Sequence, residues 1–154
     1  MTDWRTPIFD FLGTKTGLTT INAMSQFEEP SEYVSFFALN DETLTTSNGE
    51  REYNAVDDLI DVHYTTYPLV SLQIDVRGAS SFVKSRDLYF GLQTRNWIDE
   101  LKAQGIQYMG VGSLTPIPNL QNGYIKDGFQ FNLFFGYNNT ITNQTDYGEV
   151  ITWQ

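Results

Sequence analysis

The chain contains no cysteine, which excludes disulfide bonds and thiolate metal sites and leaves stability to packing. Histidine is almost absent as well: His63 is the single one, so a Ser/His/Asp triad has one possible base, and no Gly-x-Ser-x-Gly elbow accompanies it. Basic residues are scarce, with nine Lys and Arg against nineteen Asp and Glu and a net charge of −10. Gripping phosphates requires clustered Lys and Arg, and here the nine are scattered. No apolar run approaches the roughly 20 residues that cross a bilayer. Met1 to Asp10 also lacks the basic end and apolar stretch of a signal peptide, so the expectation is a soluble product of a cytoplasm, without a membrane partner. Internal repeats and low-complexity tracts are lacking too.

What the chain has is pattern. At 154 residues it is expected to form one domain, 1–154, burying roughly two thirds of its unfolded surface. Val70, Leu72, Ile74 and Val76 alternate with Ser71, Gln73, Asp75 and Arg77, the period-two signature of a half-buried strand. Past Gly78 the period changes, and Val83, Phe90, Trp97 and Leu101 fall on one face of a helix with Phe82, Tyr89 and Ile98 beside them. This spacing predicts one long central helix of about 23 residues, near 35 Å, with Ser80 as N-cap and Gly105 just past its end. Gly91 in its middle implies a close approach by another backbone. Leu88 and Leu92, one turn apart on the other side, form a second small stripe, to be covered by the first helix or by another subunit.

Trp4, Ile8, Phe11 and Leu12 have the spacing of a short N-terminal helix, with Thr6 as N-cap, Pro7 at the first helical position and Gly13 or Gly17 at its end. Tyr33 to Leu39 is apolar on most of both faces, the pattern of an interior strand covered on both sides and stopped by Asn40. Residues 41–66 are expected to be a long acidic β-hairpin excursion, with Asn48-Gly49 as a tight turn and a return limb from about Ile60 through Tyr64. Pro68 breaks or kinks that limb. A strand follows Gly105, and after an Asn122-Gly123 turn comes the strongest strand, Phe129 to Tyr137. Residues 138–154 are read as a polar linker and an arm. The expected fold class is α+β: a mixed, mainly antiparallel sheet with the long central helix and the short N-terminal helix packed on one face, plus the hairpin excursion.

Few residues suggest chemistry. Asp57, Asp58 and Asp61 lack the spacing of a calcium loop. Gly110-Val111-Gly112 follows a strand, but no lysine-bearing helix comes after it as in a phosphate cradle. Nine tyrosines and three tryptophans lie mostly in phase with buried faces, where core packing explains them. The acids are the exception: Glu28, Glu29, Glu32, Asp41, Glu42, Glu50, Glu52, Asp57, Asp58 and Asp61 face only Arg51 over that stretch, more than half of the nineteen carboxylates. Such a run is either a solvated loop or a surface that repels something.

Tyr33-Val34-Ser35-Phe36, the strand-to-helix passage Ser71 to Gly78, the helix end Gly105-Ile106 and the final strand Asp127-Gly128-Phe129 to Tyr137 together resemble the neck or tail terminator proteins of tailed bacteriophages. The resemblance runs in order from about Tyr33 to Tyr137. Lys126 and Asp127 stand where that family often carries a charge before its last strand. It implies a structural virion protein of the neck, assembled in the host cytoplasm, with no catalytic residue and no cofactor. It further implies a homo-oligomer, a hexameric ring, that ends the tail tube protein and joins it to a head-tail connector or adaptor protein while DNA passes through unread. The candidate lumen or tube contact is then Asp41, Glu42, Glu50, Glu52, Asp57, Asp58 and Asp61, and the candidate subunit interface is Leu88, Leu92, Tyr147 and Trp153. Competing readings are another neck ring, such as a head-closure protein or adaptor, a tube subunit, and a small hydrolase or carbohydrate-binding module with converging carboxylates.

Overall fold

The computed structural model describes residues 3–23, 30–43, 48–54, 59–66, 68–117, 119–121 and 124–146. In chain order these form α1 (Arg5–Thr16), β1 (Thr19–Asn22), β2 (Tyr33–Thr43), β3 (Asn48–Asn54), β4 (Leu59–Thr66), β5 (Pro68–Arg77) and α2 (Ser81–Gly91). There follow α3 (Arg95–Ala103), β6 (Ile106–Val111), β7 (Thr115–Pro116), β8 (Asn119–Gln121), β9 (Tyr124–Lys126), β10 (Gly128–Tyr137) and β11 (Asn139–Asp146). The class is α+β, with a main sheet in the order β1-β2-β5-β10-β6. Its ladders are antiparallel except for β1 on β2.

The alternating strand predicted at Val70 to Val76 is the centre of this sheet. Val70, Leu72, Ile74 and Val76 are buried together with Phe131, Leu133 and Phe135 of β10 and Val34 and Phe36 of β2. Register explains why they meet: Ile74 is opposite both Phe36 and Phe131, and Leu72 is opposite Leu133. Cross-strand neighbours share a face, and this face receives Trp4 together with Ile8 and Leu12 of α1. Gly17 ends α1 at φ 67° and Gly105 follows α3 at φ 81°, as expected. The N-terminal cap differs: α1 begins at Arg5, after Trp4, and the Arg5 N–H is taken by the Asp3 carboxylate at 3.0 Å.

The long central helix is two helices. α2 ends at Gly91, whose carbonyl accepts the Thr94 N–H at 2.9 Å and the Thr94 hydroxyl at 2.6 Å, and Thr94 leaves helical geometry at ψ 148° before α3 begins. The close approach at Gly91 comes from the Trp97 ring, which occupies the space a Cβ would need. Residues before and after such a break cannot share one stripe. Val83 and Phe90 are therefore 57% and 56% exposed, while Leu101 is buried. The inward face of α2 is Ser81, Ser85, Leu88 and Leu92. Leu88 and Leu92 are 1% and 0% exposed and lie in the same cluster as Ile8 and Leu12, so the core covers them and leaves nothing for a second subunit.

β2 also departs from expectation. It runs past Asn40 to Thr43, absorbing an extra residue between Ala38 and Asn40, a bulge that lets pairing continue with a bend. It is covered on both sides from Tyr33 to Phe36, as expected, but beyond that Phe37 and Leu39 are 44% and 51% exposed.

Glu32 connects this strand to the start of α2. Its Oε1 accepts the Ser80 N–H and the Ser80 hydroxyl, both at 2.8 Å, so the predicted cap residue is itself held by a carboxylate. Gly78, at φ 119°, makes this possible, because any Cβ there would collide with Glu32. The Ser80 hydroxyl first, and then the Ser80 N–H, hold the Glu32 carboxyl below its ordinary 4.5. Since the fold prefers the charged form, its contribution is present above the ordinary glutamate range and is lost as pH falls through the lowered value.

Two measurements follow. Urea denaturation of Leu92→Ala should show a loss of about 2–5 kcal/mol, against a change within about 0.5 kcal/mol for Val83→Ala; the reverse ranking would put the outer stripe in the core. In thermal melts, Glu32→Gln should lie below wild type at neutral pH, with the gap closing as pH falls below about 4. A gap independent of pH would show that the carboxylate charge does not matter.

Candidate functional site

The acidic excursion is a hairpin of β3 and β4 joined by a third strand, β11, in the order β11-β4-β3. The polar stretch expected as a linker is thus a strand from Asn139 to Asp146, and Asn48-Gly49, expected as a turn, opens β3. The order repeats that of β10-β5-β2 in the main sheet. Register shows why: Gly136 is opposite Leu69 and Asn139 is opposite Thr66, three residues on along each strand. The two ladders are therefore in one register from Gly128–Arg77 to Asp146–Leu59. Eight residues of β4 at ~3.3 Å each extend the sheet by about 25 Å. Pro68 stands at the first position of β5, where a strand tolerates proline.

The junction is held by side chains. The Trp4 indole N–H donates to Asp41 Oδ2 at 3.4 Å, and the Tyr137 hydroxyl lies 3.3 Å from both Asp41 oxygens. Burial, and then the Asp41 charge, push the Tyr137 hydroxyl above its ordinary value of 10.0. This ties α1, β2 and β10 together where the ribbon leaves the domain. Asp41, expected in the excursion's contact surface, is engaged within the chain.

Pairing sorts the remaining ribbon residues by face, because partners across a ladder lie on the same side. Glu50 is opposite His63, and His63 is opposite Thr142; Glu52 is opposite Asp61, and Asp61 is opposite Gln144. Alternation along each strand puts all six positions on one face. The other face takes Arg51, Val62 and Asn143, then Tyr53, Ile60 and Thr145, and Tyr64 with Ile141. Glu50, Glu52 and Asp61 are thus brought together, while Glu42 is further back at the root, opposite Leu69. Asp57 and Asp58, like Tyr147 and Trp153, lie outside the described residues. His63 is at mid-strand.

The register sets Glu52 opposite Asp61, a cross-strand position at which like charges are in general destabilising.

Elsewhere the described residues offer little for a reaction. The groove between α1 and α3 holds Asp10 and Glu100, but Glu100 is bridged to Lys15 at 2.8 Å. Asp75, on the sheet face away from the helices, is raised above 3.8 by burial, opposed by Arg77 and by the Gln73 amide. Among the described residues no three His, Asp or Glu side chains gather in a way that could hold a metal ion, and no helix is long and apolar enough to cross a membrane.

Phage neck terminator proteins, as a family, match residues 5–154, including the ribbon and both of its ladders. The chain belongs to the phage neck terminator protein family. No curated protein matches it. Membership makes the chain a phage neck protein, a virion component that contacts other neck and tail proteins. The match extends through β11, which the resemblance read from Tyr33 to Tyr137 stopped short of.

Sequence reasoning missed two surfaces of this neck terminator. One is the outer stripe of α2, with Phe82, Val83 and Phe90 more than half exposed; the signal was the Ser81, Ser85, Leu88, Leu92 spacing of the true inward face. The other is β11, whose threonines and Ile141 favour a strand. If Glu52 and Asp61 repel across the ladder, Asp61→Asn should stabilise the protein by about 0.2–1 kcal/mol in denaturant titrations, more at low salt than at high. A loss of stability would mean the carboxylate makes a favourable contact instead.

Proposed function

We propose that the chain closes into a ring, of six copies, that ends the tail tube at its head-proximal side and joins it to the head-tail connector, with DNA passing through the centre. The role is structural, with no catalytic group. The observation that carries the reading is the ribbon: a family of neck terminators in which this member extends three strands beyond its helix-covered domain and gathers Glu50, Glu52 and Asp61 on one face. DNA in transit must not stick. A negative lining repels phosphates at short range, whereas Lys and Arg there would release counterions and bind. We place that face toward the channel, or toward the adjoining tube ring at the channel mouth. Glu42, Asp57 and Asp58 extend the same surface in this reading, and Tyr147 and Trp153 reach a neighbouring copy or the tube.

Light scattering and electron microscopy of the purified protein, alone and with tube ends, test the ring; a strict monomer that leaves tubes uncapped overturns it. The channel assignment is tested by Glu50→Lys, Glu52→Lys and Asp61→Lys combined. Rings of this variant should retain linear duplex DNA in low salt and release it as salt rises, where wild-type rings retain none. Rings that ignore DNA in both forms would put the acidic face on the outside.

A further inference from the structure

The ribbon is an unfinished sheet. In the main sheet the passes β2, β5 and β10 are closed at one flank by β1 and at the other by β6. In the ribbon the same three passes continue as β3, β4 and β11, and among the described residues no strand lies on the far side of β3 or of β11. Each free edge leaves a row of backbone N–H and C=O groups without ladder partners, which is a template for another strand. The two edges differ in chemistry. β3 carries Glu50, Arg51 and Glu52, whereas β11 has no charge from Asn139 to Thr145 and no proline or glycine, so it lacks the usual guards against pairing.

We propose that β11 of one copy pairs with β3 of the next, so that the ribbons join into a continuous barrel around the channel; this rests on the ring reading above and names the surface that closes it. β3 and β11 both run antiparallel to β4 and so parallel to one another. Copies related by rotation about an axis along the strands therefore meet in a parallel ladder. The lengths match, seven residues against eight. Pairing β3 with another β3 would set the glutamates of two copies side by side. Pairing β11 with another β11 would close a two-fold dimer and leave both β3 edges open. Only the head-to-tail contact satisfies both edges in every copy, and it is the heterologous kind that generates rings. The same contact repeats the Glu50, Glu52 and Asp61 face around the channel.

The absence of cysteine makes the test clean. Thr142→Cys is combined in turn with Gly49→Cys, Glu50→Cys, Arg51→Cys and Glu52→Cys, covering both faces and several registers, since neighbouring strands bring Cα atoms within disulfide range. Under mild oxidation at least one pair should give an SDS-resistant ladder ending at the closed ring, while each single-cysteine variant stays monomeric on non-reducing gels. Rings visible by electron microscopy with no ladder from any pair would overturn the strand pairing and leave the ring standing. A covalent dimer from Thr142→Cys alone would replace it with a two-fold contact. A β11 cysteine that couples only to a cysteine-bearing tube subunit, never to β3, would assign the edge to the tube. A strict monomer by light scattering, with no ladder, would overturn the pairing and the ring together.

Discussion

Two chain passes, residues 59–77 and 128–146, stay in one antiparallel register from the middle of the helix-covered domain to the end of the ribbon. Within the domain that register is set by burial. A slip of one residue would turn Val70, Leu72, Ile74 and Val76 out to solvent and bring Gln73 and Asp75 under the helices. Nothing as strong acts in the ribbon, where both faces carry polar residues and register would be weakly specified on its own. Its pairing is inherited from the core, and the inheritance passes through the junction where Trp4 and Tyr137 hold Asp41. The position of every ribbon carboxylate thus depends on hydrophobic packing some distance away.

The helical layer answers the same constraint. A straight helix continuing through Gly91 would carry Trp97 and Leu101 along the axis of α2. The break at Gly91 and Thr94 instead lets α3 pack Leu101 beside Ile106 at the start of β6, with Trp97 folded back over Gly91. Two serines on the inward face of α2 keep that helix close to the sheet, and the larger side chains Phe82, Val83 and Phe90 are left outside.

Much of the domain was legible because its signals were local. The alternation before Gly78 and the run from Phe129 to Tyr137 each mark a strand whose apolar face is decided within ten residues. α1 was equally plain as an element, though its end lay between Gly13 and Gly17 and its cap was expected at Thr6 rather than Trp4. The helix phase was not, because Val83, Phe90, Trp97 and Leu101 fit one stripe only if the axis is continuous; two serines among the true inward positions disguised the alternative. The third ribbon strand was hidden for another reason. Asn139 to Thr145 has little hydrophobic contrast, and it becomes a strand because β10 delivers it alongside β4 already in register, information that sits in a partner nearly eighty residues away. The acidic character of the site was visible in composition, but which acids meet was not, since Glu52 faces Asp61 only through the ladder.

Charge on this ribbon acts on two scales. At the distance of a cross-strand pair like charges are in general a cost, and the register sets Glu52 opposite Asp61. At the distance of a neighbouring chain charge discriminates in the proposed pairing, where an acidic β3 edge discourages contact with its own copy and the uncharged β11 edge accepts it. In the proposed ring the same residues, repeated by rotation, form a negative surface whose range is set by salt, about 8 Å under physiological conditions. In the ring proposed above, a duplex passing within that range is repelled from every side, and repulsion from all sides centres it. In that proposal the local penalty and the long-range benefit come from one set of carboxylates, so neutralising them relaxes the monomer at the expense of both the choice of neighbour and the freedom of the passing nucleic acid.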